Sequence, residues 1–442
     1  MKQKSFLSII RFTAVLLLAS PPLFAQDSSY DKYAPLQSEP KQATLFERSL
    51  LHFPEYPFEI LRYPVDKSLV YMEKHHVMEK IQWVYDTLGK KGLTPKLNLI
   101  SLARLDIGAE VDFVRALHQK ERFPDLVADS WIHFASHYNF NVGSRLGVER
   151  IGGTGFRTQG YFQYETHPQE HFYGIGPHSS RGDGYVYKRE ETNLQYLLGY
   201  KPDVAHSLDF KFGYRNVHIA DGRDGSMGRY NSGIFNGSAG IPGLHGDELL
   251  VYKTEAKRDT RDQAGNSTTG GLQKFGFSYN QGLYSSNAEF FKYEMELSHY
   301  FKLGTPRRVL GIRAYGEHNS ETNGHSVPFH QMARLGGYGM SDQMSETLRA
   351  YRYNRFTDRS MVVFNVEYRY NLWEYRDWKT DAVVFLDSGQ VFKNFDKLKS
   401  KNLRESYGVG IRTSLANVVL LSLEMAHGDE GTNYYVKTST PF

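Results

Sequence analysis

Residues 431–442 read Gly-Thr-Asn-Tyr-Tyr-Val-Lys-Thr-Ser-Thr-Pro-Phe. Tyr434, Val436, Thr438, Thr440 and Phe442 fall on one face of an extended chain, and Tyr435, Lys437 and Ser439 fall on the other. A period of two sends alternate side chains to opposite faces of a sheet. The same alternation runs upstream. In 417–426, Val419, Leu421, Leu423 and Met425 oppose Ser422 and Glu424. In 360–372, Val362, Phe364, Val366, Tyr368 and Tyr370 oppose Val363, Asn365, Glu367 and Arg369. One face of each strand is apolar and the other carries charge. If the apolar face meets hydrocarbon, an Arg or Lys placed on it costs about 2–4 kcal/mol at the midplane, and Asp or Glu less. Glu367, Arg369 and Glu424 therefore face inward, which fixes the register of their strands.

Moving outward from this end, sixteen such segments follow one another from 95–104 to 431–441. The expected fold is all-β: a transmembrane antiparallel 16-stranded β-barrel, even-numbered as bacterial barrels are. A closing strand that finishes on an aromatic fits that expectation. No stretch after the N-terminus approaches the length of a helical span, which needs about 18–20 apolar residues. The negative mean hydropathy does not argue otherwise, because barrel strands carry their lipid face in alternate positions. The 31 Tyr and 28 Phe suit interfacial girdles. The connections 221–245 and 320–358 are long and belong to the outer surface.

The N-terminus has a different character. Residues 1–25 have the form of a secretory signal, with Lys2, Lys4 and Arg11 ahead of and beside an apolar run that Pro21 and Pro22 break before Ala25. Residues 26–94 are expected to form a periplasmic leader carrying a short amphipathic helix over 67–88, with Val77, Ile81, Val84 and Leu88 on one face and Gly89 ending it. His75 and His76 on it point to different faces and are read as solvated. The barrel takes 95–442. The formal charge of +4 shrinks once the signal's three basic residues are set aside, leaving 50 basic against 49 acidic residues. That balance gives no reason to expect nucleic acid as a partner. With no cysteine, disulfides, thiolate metal sites, a lipid-modified cysteine and a cysteine nucleophile are excluded.

The segment 334–412 carries the most specific signal. It contains Arg334-Leu335-Gly336-Gly337-Tyr338, then Leu348-Arg349-Ala350-Tyr351-Arg352-Tyr353-Asn354-Arg355-Phe356, then the strand 362–369 with Glu367. After these come Val383-Val384-Phe385-Leu386-Asp387-Ser388-Gly389 and Gly408-Val409-Gly410-Ile411-Arg412. In this order and spacing the pieces resemble the barrel of the BamA superfamily, the bacterial surface antigen family. Phe172-Tyr173-Gly174-Ile175-Gly176 also looks like a family segment. The resemblance covers roughly 95–442 and is sharp from 334 onward. It implies an outer-membrane protein that inserts or translocates proteins, or lipids, through a lateral seam between the first and last strands, with no cofactor and no enzymatic step. A passive diffusion channel and a surface antigen or adhesin are the competing readings.

Physical chemistry supports part of this from the residues alone. Glu367 and Asp387 are inward by parity on neighbouring strands, and two close carboxylates favour a cation. Arg349, on the long loop, can fork to both, since its guanidinium is planar and bidentate. In the bland alternative, Asp387 simply belongs to a turn-proximal Asp-Ser-Gly. By resemblance, Arg349, Ala350, Tyr351, Glu367 and Asp387 form a loop latch, and Tyr434, Val436 and Phe442 belong to the closing strand. The family carries glycine where this chain has Ala350, which either removes a need for positive φ or shifts the loop tip. Arg352 and Arg355 are read as a solvated loop face, with binding of lipid phosphates or lumen acids as the alternative, and Arg181-Gly182-Asp183 as a polar loop. The 26–94 segment shows no POTRA-like strand pattern, and no Gly-x-Ser-x-Gly occurs, so POTRA and patatin domains are not expected. Expected partners are outer-membrane lipids, unfolded outer-membrane or secreted client proteins, and a separate periplasmic protein.

Overall fold

The computed structural model describes Trp83 and residues 86–437, save 102–103, 118, 120, 136–138, 223–239, 264, 285, 323, 338–347, 376–377 and 416–417. The expected signal, most of the 67–88 helix with His75 and His76, and Phe442 lie outside these residues. What is described of the helix runs on through Lys90. Gly92, at φ +73°, ends it rather than Gly89, and a Cβ there would stand 2.3 Å from Asp112 O.

Sixteen strands form one antiparallel sheet in sequence order. They are β1 (Leu93–Ser101), β2 (Arg104–Asp112), β3 (Leu126–Ala135), β4 (Asn139–Val148), β5 (Phe156–Phe172), β6 (Tyr185–Tyr200), β7 (His206–Asp221), β8 (Gly246–Asp259), β9 (Gly270–Gly282), β10 (Glu289–Lys302) and β11 (Arg308–Glu321). A small ribbon interrupts the count, β12 (Ala333–Leu335) with β13 (Phe356–Asp358). The sheet resumes as β14 (Ser360–Tyr375), β15 (Trp378–Phe392), β16 (Arg404–Leu415), β17 (Val418–Gly428) and β18 (Gly431–Lys437). β18 lies against β1, so the sheet curls into a cylinder. Among the described residues, no backbone register joins these two strands, whereas every other neighbouring pair of the sheet has one. Alternate connections fall at opposite ends. The connections 222–245, 322–359 and 393–403 share one end, the outer one. The short turns 201–205, 303–307 and 376–377 share the other, the periplasmic end.

The alternation behaves as a barrel wall requires. Phe364 and Leu386 are 48% and 47% exposed, while Val363, Asn365, Glu367 and Asp387 are buried. Outward aromatics pair across strands, as Phe212 with Tyr252 and Tyr279 with Phe291 do, each with ring centroids 5.1 Å apart. One register expectation is corrected. Val419 does not share the lipid face with Leu423 and Met425: it is buried at 3% exposure. The ladder jumps from Thr413↔Leu421 to Ser414↔Val419. The extra residue of this bulge reverses parity below it.

A charge clasp inside the barrel

The outer connection between β11 and β14 does not stay outside. Asn319 N donates to Arg359 O at 2.8 Å and closes its base. The chain then turns inward along the β12–β13 ribbon. Gly336 and Gly337 hold φ of +130° and +68°, and a Cβ on Gly336 would lie 2.4 Å from Arg352 O. The Leu-Gly-Gly is therefore required for the two limbs to close on each other. Gly337 N donates to Leu348 O at 3.1 Å, which ties the two limbs together. Leu335, Leu348, Tyr351 and Phe356 then pack with Val363 and Phe385 of the wall as one apolar core within the cylinder. Loop burial of this kind, and not the wall alone, supplies the water-excluded site.

Arg349 is delivered to the centre of that site with no exposure. Its Nε donates to Asp387 Oδ2 at 2.8 Å and its Nη2 to Asp387 Oδ1 at 2.7 Å, a bidentate fork. Its Nη1 reaches Glu367 Oε2 at 3.3 Å and Glu424 Oε2 at 3.2 Å. The guanidinium lies 3.3 Å from the Phe385 ring centroid, adding a cation–π contact. Asp387 sits within β15 and is fully buried, so it does not belong to a turn. Asn365 Nδ2 donates to its Oδ1 at 2.9 Å.

Two participants were not assigned from sequence. Arg412 donates from Nη1 to Glu367 Oε1 at 2.8 Å and from Nη2 to Glu424 Oε1 at 3.3 Å. Lys437 Nζ stands 3.7 Å from Glu424 Oε1. The clasp thus sets Glu367, Asp387 and Glu424 against Arg349, Arg412 and Lys437, with Arg369 Nε at its edge 3.6 Å from Glu367 Oε1. The sequence had marked Glu424 as inward and Arg412 as part of a family motif, but parity alone cannot say which inward residues meet.

The same loop residue also holds the last strand. Tyr435 donates its hydroxyl to Arg349 O at 2.6 Å, and Asn433 Nδ2 donates to it at 3.3 Å. Ala350 has no positive φ, and its N–H donates to Ser406 Oγ at 2.8 Å. The substitution for the family glycine is therefore compatible with the seated loop. Tyr351 donates to Asp429 Oδ2 at 3.4 Å, and burial pushes its phenol up to about 12. Tyr434 points outward at 67% exposure; Val436 shares its face by parity but is covered, at 7%.

A second tie lies nearer the outer rim. Arg355, expected in solvent, is 3% exposed. Its Nε donates to both Glu430 oxygens at 2.8 and 2.9 Å, and its Nη2 to Ser179 O at 2.7 Å. Burial follows because the Phe172–Gly176 segment folds over the ribbon, with Gly176 N donating to Thr357 O at 2.7 Å. Among the described residues no group of three metal-ligating side chains occurs. The arrangement is a mechanical clasp between an outer loop, the wall and the last strand.

These features define a class: a sixteen-stranded outer-membrane barrel whose sixth outer loop is folded inward and gripped by strand acids. Residues 133–434 match the Omp85 superfamily domain, and the chain belongs to that superfamily. It is a bacterial outer-membrane protein of a family that inserts or translocates proteins. The fold is similar to that of BamA from Haemophilus ducreyi lacking POTRA domains 1–3 (TM-score 0.55, 15% identity), with 77% of this chain and 68% of that one covered. It is also similar to CdiB from Escherichia coli (TM-score 0.52, 12% identity), covering 78% of this chain and 62% of that one. The match therefore spans about two thirds of those chains' own length. Comparison with curated protein sequences finds no match.

Proposed function

We propose that this chain assists the insertion or translocation of client proteins at the outer membrane by opening laterally between β1 and β18, with loop six acting as the clasp that holds the closing strand shut. The observation that carries this is the seam. Among the described residues the two end strands lie together without a backbone ladder, while β18 is held from inside by the Arg349 carbonyl. An unladdered strand edge offers main-chain donors and acceptors to an incoming extended segment, the physics of strand addition. In this reading no covalent bond is made or broken and no cofactor is needed. Unfolded outer-membrane or secreted proteins are the clients, and membrane lipids are the surrounding solvent. A separate periplasmic protein would hand clients over.

The test uses the absence of native cysteines. One cysteine placed in β1 and one in β18 are oxidised to lock the seam in membranes. Insertion or secretion of a client should stop on oxidation and return on reduction. Undiminished activity with the seam fully cross-linked refutes lateral opening and leaves the lumen as the route.

A further inference from the structure

The connection between β8 and β9, residues 260–269, stands at the periplasmic end and is longer than its neighbours 201–205 and 303–307. Its base continues the hairpin. Thr260 N donates to Gly271 O at 2.8 Å and Asp262 N to Thr269 O at 3.1 Å. The Asp262 carboxylate accepts from Thr268 N at 2.8 Å and Thr269 N at 3.2 Å, so the returning limb is fixed. A periplasmic turn would be expected to end in water. This one ends inside: Asn266 and Ser267 are 5% and 3% exposed.

The tip is held by groups on a distant part of the wall. Asn266 Nδ2 donates to Asp381 Oδ2 at 3.1 Å, and Asn371 Nδ2 occupies the other Asp381 oxygen at 3.0 Å. Arg369 donates to Asn266 Oδ1 and to Ser267 O. The turn springs from β8 and β9, but Arg369 and Asp381 lie on β14 and β15. Three to five strand spacings separate them, about 14–24 Å along the wall at ~4.8 Å per strand. The tip leans inward over β10 and β11 to reach its partners, and Arg369 lies 5.3 Å from the Tyr300 ring of β10.

We propose that the 260–269 turn is a second plug, closing the lumen from the periplasmic side and seated on the same buried charges that grip loop six. The two seats touch. Arg369 Nε stands 3.6 Å from Glu367 Oε1, and Glu367 is, with Glu424, one of the two acids that Arg349 and Arg412 share. Withdrawing Arg349 leaves Glu367 with Arg412 but removes one of the cations around it, and so strengthens its pull on Arg369, away from Asn266 and Ser267. Release of one plug therefore weakens the other. This reaches beyond the seam proposal, because it concerns the lumen and holds whether or not the seam opens.

The experiment is potassium chloride conductance of the full chain in planar lipid bilayers. Wild-type protein should conduct little. Asn266→Ala should raise mean conductance severalfold. Replacing 263–268 by Asn-Gly, which closes a two-residue hairpin on the Asp262–Thr269 pair, should raise it further. Both variants should keep the heat-modifiable mobility of a folded barrel, and the response should persist in seam-locked protein. In an Arg349→Ala background, Asn266→Ala should add less than it does alone. A folded, shortened-turn variant with wild-type conductance overturns the plug, and strictly additive effects overturn the coupling. As a check that does not depend on loosening the fold, Asn266→Cys with Asp381→Cys is joined by a short bifunctional thiol reagent. Cross-linking should return conductance to the wild-type level, and a cross-linked barrel that still conducts freely counts against the proposal.

Discussion

Arg349→Ala tests the clasp most directly. The substitution removes both hydrogen bonds of the fork to Asp387, the contacts to Glu367 and Glu424, and the guanidinium over Phe385. The losses are unequal. Glu367 and Glu424 keep Arg412. Asp387, without exposure to water, keeps the Asn365 amide at 2.9 Å. Removing one partner of a buried ion pair costs about 3–5 kcal/mol, most of it the penalty of the charge left behind. At 1.4 kcal/mol per factor of ten, the folded-to-unfolded ratio should fall by about two to three and a half orders of magnitude. The assay is urea unfolding in detergent micelles, followed by heat-modifiable mobility. The double variant Arg349→Met with Asp387→Asn removes the stranded charge as well and should recover most of the loss. A single variant within about 1 kcal/mol of wild type, or a double variant as unstable as the single, would refute the buried-charge account.

Three further outcomes follow from close contacts and parity. Gly428→Val places a Cβ 2.7 Å from Glu405 O and 2.8 Å from the Ala350 Cβ. It should destabilise the barrel by about 1–3 kcal/mol and expose the 348–351 segment to limited proteolysis. Ala350→Gly should leave the loop seated and cost only about 0.4–1 kcal/mol through added freedom of the unfolded chain, because Ala350 needs no positive φ; a gain in urea midpoint would contradict this. Leu386→Arg puts a charge on the outward face at the centre of β15 and should cost about 2–4 kcal/mol, measured by folding into lipid vesicles.

Most of the wall was legible in the sequence because its signal is local. In β14, Phe364 and Val366 alternate with Asn365 and Glu367, and one strand suffices to assign inside and outside. Where the alternation is interrupted, legibility stops. The bulges at 371–373 and 419–421 leave no mark in residue type, and the second misplaced Val419. The clasp was partly legible. Arg349, Glu367 and Asp387 could be brought together from parity and one long loop, and the structure places them in contact. Arg412 and Lys437 were missed because their meeting with Glu424 depends on the register of β17 against its two neighbours, where each sits diagonal to Glu424, and no single strand records that register. Arg355 was misread because a loop arginine is usually solvated, and what buries it comes from residues 172–179 and from Glu430, far away in sequence. The inward turn at 260–269 offered only its length as a clue.

The clasp also orders events in time. Every acid that Arg349 will meet, on β14, β15 and β17, lies after it in the chain, as does Tyr435, which anchors its carbonyl. The arginine's seat is incomplete until the final hairpin brings Glu424 and Tyr435, and the bolt between Arg355 and Glu430 can only be drawn afterwards. Swallowing of the loop and arrival of the C-terminus are then a single late step of maturation. A chain that ends before Val418, refolded into lipid vesicles, should keep a cysteine reporter at position 351 reactive toward thiol reagents. Protection of that reporter in the shortened chain would show that the loop enters its seat earlier.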